Sequence, residues 1–382
     1  MTEGRTTAGS VPAAGTANDV RELKQFVEVH AKAQQLSPRT YQPLLARITG
    51  DGEGTPGSWV YEWSRAAAEA EAAGRLLEAS RYYNMARFPF VNGPARQEAL
   101  DRCVAAFDAW RSTQKGIERL DVDLPAGRVR CWTSGLPAAG SDGKRRPLLL
   151  VTGGIVSVKE QWAPILVQAT RLGVAGVVAE MPGVGENTLP YDEDSPAMLS
   201  AILDAVGERA DTERTYLVAL SFSGHMALRA AAADPRIKGV ITAGVPVSSF
   251  FSDRDWQARV PRVTVDTLAH LLGTTPGGVG DRVAGWGLTD GELGALDVPV
   301  ACLWSRRDEI IPSADPQALR RSVRRLDLVD NDDVHGSPSH LLETRVWVLL
   351  SLLRMLGVRD VKRLVFGALW RALRLAGRRR GN

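Results

Sequence analysis

Residues 216–225 read YLVALSFSGH, and how this stretch is read decides the fold. It opens with Tyr216, Leu217 and Val218, a strand-forming apolar run, and passes straight into SGHMALRAAAA, which is alanine-rich and helix-forming. A strand that becomes a helix through a serine is the build of a nucleophile elbow. The serine of such a turn has a strained backbone, so the residues two before and two after it must be small. For Ser221 these are Ala219 and Ser223. For Ser223 they would be Ser221 and His225, and an imidazole there would collide with the turn. Ser221 is therefore the candidate nucleophile, with Ala and Ser in place of the two usual glycines.

Working outward, short apolar runs alternate with helical stretches: PLLLVTGG (147–154), GVAGVVAEMPG (173–183), IKGVITAGVP (237–246), VPVACLWSRRD (298–308) and RRLDLVDN (324–331). The alternation predicts right-handed crossovers and a mostly parallel sheet with helices on both faces. Ahead of it, ERLDVDLPAGRVRCWTSG (118–135) has alternating arms about a PAG turn and predicts a hairpin. Residues 21–117 contain no strand pattern. RAAAEAEAAGRLLEASRYYNMARF and RQEALDRCVAAFDAWRSTQKGIERL carry apolar residues at helical spacing and predict an all-helical domain, broken at DGEGTPGS and PFVNGPAR. The chain thus divides into a disordered tail (1–20), a helical domain (21–117), a sheet domain (118–357) and a basic amphipathic C-terminal segment (358–382). A helical insertion over about 248–296 interrupts the sheet domain and is expected to sit above it as a cap.

In a parallel sheet, ligands and catalytic groups collect at the carboxyl ends of strands. A serine hydroxyl needs a base, and the base needs a carboxylate, expected later in the order Ser, Asp, His. Asp308 follows the strand VPVACLWS, with Glu309 as an adjacent but longer rival. DDVHGSPSHLLETRVW (332–347) offers His335, in the loop before the last helix of the sheet domain, and His340, near the start of that helix; His335 is preferred as base. His30, His225 and His270 have plainer readings as packed or surface histidines. The oxyanion needs backbone donors. One is the N–H of Phe222, and the other is that of Gly154 or Ile155 in the turn after PLLLVT. PGVGE (182–186) lacks the lysine and spacing of a phosphate-binding loop and is discounted.

The 382 residues include 47 Lys and Arg, dispersed, against 44 Asp and Glu, so nucleic acid is not expected as a partner. Cys103, Cys131 and Cys302 are odd in number and far apart, so neither a disulfide framework nor a zinc site is expected. Neither a signal peptide nor a membrane span is read, and a cytoplasmic location is expected. DVKRLVFGALWRALRLAGRRRGN (360–382) reads first as a docking or dimer-contact helix and second as a helix lying on an anionic membrane.

RYYNMARF, GGIVSVKEQW, MPGVGEN, SFSGH, SRRDEIIP and VHG together resemble an α/β-hydrolase of the fermentation–respiration switch esterase family. That group includes 2,6-dihydroxypseudooxynicotine hydrolase and fungal hydrolases that shorten polyketide pigment precursors. The resemblance implies an α/β-hydrolase fold with an N-terminal helical cap domain and a triad of Ser221, Asp308 and His335. It also implies no metal or organic cofactor, a small-molecule substrate and a homodimer. Val156 stands where many relatives carry an acidic residue, so no assisting carboxylate is expected there. Members cleave esters or carbon–carbon bonds beside a ketone. The first expectation is a serine hydrolase acting on a medium-sized, polyketide-type metabolite. An acyl transferase or cyclase on the same triad, and a non-catalytic binding protein on this fold, are the alternatives. Trp256, Trp286, Tyr82, Tyr83 and Phe88 either line an aromatic-tolerant pocket or simply hold helices together, and the second reading is at least as strong for each.

Overall fold

The computed structural model describes residues 18–52, 54–138, 140–141 and 143–380. Most of the expected tail, residues 1–17, lies outside the described residues, as do Asp142 of the SDGKRR loop and the last two residues. The described residues before 21 already make specific contacts. Asn18 is buried and donates its backbone N–H (2.9 Å) and its Nδ2 (2.7 Å) to Asp51. Asp19 then caps the first helix by accepting from the N–H of Arg21.

Five helices make the N-terminal region: α1 (Val20–Ala33), α2 (Pro38–Arg47), α3 (Trp59–Ala72), α4 (Leu76–Arg87) and α5 (Pro94–Ser112). Trp59, Trp63, Tyr83 and Phe107 are fully buried there and supply much of its apolar core. The sheet follows: β1 (Ile117–Leu124), β2 (Gly127–Ser134), β3 (Pro147–Thr152), β4 (Ala175–Ala179), β5 (Asp211–Leu220), β6 (Ile237–Ala243), β7 (Val300–Ser305) and β8 (Leu326–Asn331). Its spatial order is β1-β2-β4-β3-β5-β6-β7-β8. β2 runs antiparallel to both β1 and β4, and the other pairings are parallel. β4 is buried at every position, as expected of a strand covered on both faces.

Between β6 and β7 lie short helices, the longest spanning Arg262–Leu271. The entry to this segment is pinned by buried Asp315, whose carboxylate accepts from the backbone N–H groups of Val247, Ser248, Ser249 and Phe250. Helix α1 reaches the same segment, where Glu22 accepts from the N–H of Val263 (2.8 Å).

Candidate active site

Strand register sets the site. Thr152 of β3 pairs with Ala219 of β5, so two residues further on Gly154 lies beside Ser221. A side chain at position 154 would begin 3.1 Å from the Ser221 Cβ, a tight contact, so the absence of one eases the close approach of the turn to the serine. Ser221 has φ 58° and ψ −129°, a conformation that costs a non-glycine residue free energy and is held by its surroundings. The Ser221 N–H donates to Ala243 O, and the neighbouring Ser223 hydroxyl, fully buried, donates to Leu220 O and Thr152 O. Ser223 therefore serves the turn, while the Ser221 hydroxyl faces His335.

His335 Nε2 lies 3.2 Å from Ser221 Oγ, and His335 Nδ1 lies 2.9 and 3.0 Å from the two Asp308 oxygens. Asp308 is buried in the loop after β7, and its Oδ1 also accepts from the N–H of Ile310 (3.0 Å) and of Ile311 (2.8 Å). The adjacent carboxylate has a different task, with Glu309 Oε2 accepting from the backbone N–H of His335 (3.0 Å). His340 turns away and pairs with Asp333 at 3.2 Å. Among the described residues, no internal hydrogen bond occupies the backbone N–H of Phe222, Gly154 or Ile155, which leaves each free to meet a developing negative charge.

Burial pulls the His335 imidazole down, but the Asp308 charge and hydrogen bond, with Glu309 behind them, outweigh it and leave the ring above the ordinary histidine value. A base must be unprotonated to work. The acid limb of kcat/KM is therefore expected above about 6.5, the ordinary histidine value. Because the folded protein holds this proton more tightly than the unfolded chain, mild acid should silence the site without destabilising the fold through His335. A pH–rate profile beside thermal melts at the same pH values checks both; an acid limb in the carboxylate range would contradict the assignment.

The other histidines differ from one another. His225 is buried with Nε2 2.8 Å from Trp286 O, and burial holds it down to about 4. His270 stacks on Phe90 at 4.6 Å. His30 is less plain than its sequence reading, because it sits beside Phe88 (5.2 Å) within electrostatic reach of His335. Burial, then the charges of Arg87 and His335, push it down to about 3. Of the aromatic pocket candidates, Tyr82 and Tyr83 point elsewhere: their hydroxyls donate to Glu78 and Glu71, and Tyr82 packs on Trp63. They hold helices together because both lie on the face of α4 that meets α3. Trp286 packs on Tyr191 and Phe251, while Trp256 donates Nε1 to Ile310 O beside the Asp308 loop.

Two features escaped the sequence reading. Arg87, fully buried at the end of α4, donates Nη2 to the carbonyl of Val156 (2.6 Å) and to Asn84 Oδ1 (2.7 Å). The helical region thereby grips the turn that carries Gly154 and Ile155. Burial lowers its guanidinium to about 10. The second feature is a buried charge cluster just past that turn. Lys159 Nζ lies 2.7 Å from Glu186, 3.0 Å from Glu160 and 3.5 Å from Glu180. Burial disfavours the ammonium, but the three carboxylates more than offset this and hold it above the ordinary lysine value. Glu180 is pushed up to about 7 by burial, with Lys159 opposing. Glu180 also accepts from the N–H groups of Lys159 and Glu186, which ties the turn after β3 to the loop after β4. One of the two PGVGE glycines is thereby explained: at φ 60°, any Cβ on Gly185 would fall on the Glu180 carboxylate. The KE and GE pairs were visible as motif letters, but nothing local marked them as one buried network.

With this geometry in place, comparison with known proteins is decisive. A family model described as "FrsA-like: Esterase FrsA-like" matches residues 24–319. The chain belongs to the FrsA-like esterase family. This FrsA-like esterase is 24% identical over 319 residues to Esterase FrsA of Photobacterium profundum, covering 76% of this chain and 74% of that one. Among solved structures it is similar to AbyA5 (wild type), with 54% identity, a TM-score of 0.89, and coverage of 93% of this chain and 100% of that chain. It also shares its fold with 2,6-dihydroxy-pseudo-oxynicotine hydrolase, at 19% identity and a TM-score of 0.65 over 84% of this chain and 94% of that chain. It is an α/β-hydrolase enzyme of the esterase type.

Proposed function

We propose that this esterase works through a Ser221–His335–Asp308 triad on an ester, or a comparably activated carbonyl, of a medium-sized polyketide-type metabolite. The observation that carries the reading is the unbroken line of contacts from Ser221 Oγ through His335 to Asp308, 3.2 and then 2.9 Å long. His335 takes the proton as Oγ attacks the carbonyl carbon, and Asp308 fixes the tautomer and stabilises the imidazolium. The N–H of Phe222, together with that of Gly154 or Ile155, receives the oxyanion. His335 then protonates the leaving group, and water, deprotonated by the same imidazole, releases the acyl group. A carbon–carbon bond beside a ketone can break through the same steps, because the neighbouring carbonyl stabilises the carbanion that leaves.

The substrate class follows the resemblance of the chain to its family, and buried aromatic side chains pack behind the site. Phe88 stands by His30, and Phe222 packs against Phe250 at 5.0 Å. A fluorophosphonate probe tests the nucleophile. Wild-type protein should be labelled and Ser221→Ala should not; an unlabelled wild type, or a labelled variant, would refute the assignment. Product analysis with acyl esters of graded size then reports substrate class and separates hydrolysis from acyl transfer.

A further inference from the structure

The C-terminal helix Val361–Arg380 presents an unusual outer face. Its inner side is docked: Gly367 is buried near Leu350, and Arg374 Nη1 donates to Glu343 (3.0 Å), Asn331 Oδ1 (2.9 Å) and Asp330 O (3.0 Å). The solvent side of a docked helix is normally polar. Here the exposed positions are Val361 (72%), Leu364 (65%), Val365 (55%), Leu369 (42%) and Leu375 (62%). They recur at helical spacing, and exposed Ala368, Ala372 and Ala376 fill the gaps between them. At about 100° per residue, Lys362 falls along one edge of this stripe and Arg371 along the other, and both are exposed.

Charge indicates what covers the stripe. The helix holds seven Lys and Arg and no Asp or Glu. Taking those seven from the chain's 47 leaves 40, fewer than its 44 acidic residues, so this helix accounts for the chain's positive balance. Apposing two copies of the stripe would set Lys362 and Arg371 against their own kind. An anionic lipid surface meets both features at once, taking the apolar side chains below its headgroups and the flanking cations at them. Among the described residues no helix is long and apolar enough to cross a membrane, so the contact is a surface one.

We infer that helix Val361–Arg380 docks the enzyme on anionic phospholipid membranes by its exposed apolar stripe and the cations that flank it. This does not depend on the triad. The test is co-sedimentation of the full-length protein with phosphatidylcholine vesicles, with and without phosphatidylglycerol. Circular dichroism and hydrolysis of a simple ester serve as folding controls. Binding should be at least about tenfold tighter with phosphatidylglycerol, weaken as salt rises, and be lost in Leu364→Glu/Leu369→Glu. Should that variant lose helicity, Lys362→Gln/Arg371→Gln, which keeps the apolar stripe, must lose the preference for phosphatidylglycerol. Equal binding to both vesicle types, or none to either, overturns the inference. So does a dimer in sedimentation velocity that Leu364→Glu/Leu369→Glu dissociates, because a second copy would then own the stripe.

Discussion

Ser221→Ala should lower ester turnover about a millionfold, because on the proposed mechanism it removes the atom that attacks and leaves His335 with no proton to take. The fold should survive. The Ser221 hydroxyl has His335 as its protein partner, and alanine at φ 58° is strained no more than serine was. Stability should be unchanged or slightly higher, as is usual when an active-site group is removed. Single-turnover kinetics beside thermal melts would show this pattern. Residual activity near wild type in a variant that melts normally would mean that another group performs the attack.

Asp308→Asn should cost about ten-thousandfold in kcat for a different reason, the wrong tautomer. In the native site one carboxylate meets three donors: His335 Nδ1 and the N–H groups of Ile310 and Ile311. An asparagine has one oxygen. If that oxygen stays with the two backbone N–H groups, its amide NH2 faces Nδ1 and drives the ring proton to Nε2, where it can no longer accept from the serine. The same change removes the interaction that raises the His335 pKa, so the acid limb should also move down. Glu309→Gln discriminates between the two acids. It weakens the bond to the His335 backbone N–H and removes one of the charges that hold the His335 ring up, so the acid limb should move down a little, while the effect on kcat should be far smaller and the tautomer should be left alone. Comparable losses in both variants would mean that the carboxylate roles have been misread.

The strands were legible because the buried ones are continuous apolar runs and the hairpin arms alternate, and those patterns follow from which faces are covered. Spatial order was not legible, since right-handed crossovers do not state which neighbour a strand joins. It is the folded sheet that puts β3 between β4 and β5 and so brings Gly154 to Ser221. The choice of Ser221 over Ser223 could be made from residue size alone, because the elbow is a steric device. Charged residues were the weak point. Arg87, Lys159, Glu160 and Glu180 look like ordinary surface residues one at a time, yet all four are buried. Their partners lie up to 69 residues away. Burial of that kind is decided by tertiary partners, which a local window does not contain. For Tyr82 and Tyr83 the sequence leaves a pocket and helix packing both open, and their hydroxyls, committed to carboxylates on α3 and α4, favour packing.

The bond from Arg87 to the Val156 carbonyl has a bearing on how the enzyme fails. Because the turn that carries Gly154 and Ile155, proposed above to receive the oxyanion, is clasped from the helical half, that turn's alignment is only as durable as the seating of the helices. Catalytic competence can thus vanish on warming while every strand is still in register, and the temperature at which this esterase stops working need not be the one at which its sheet comes apart.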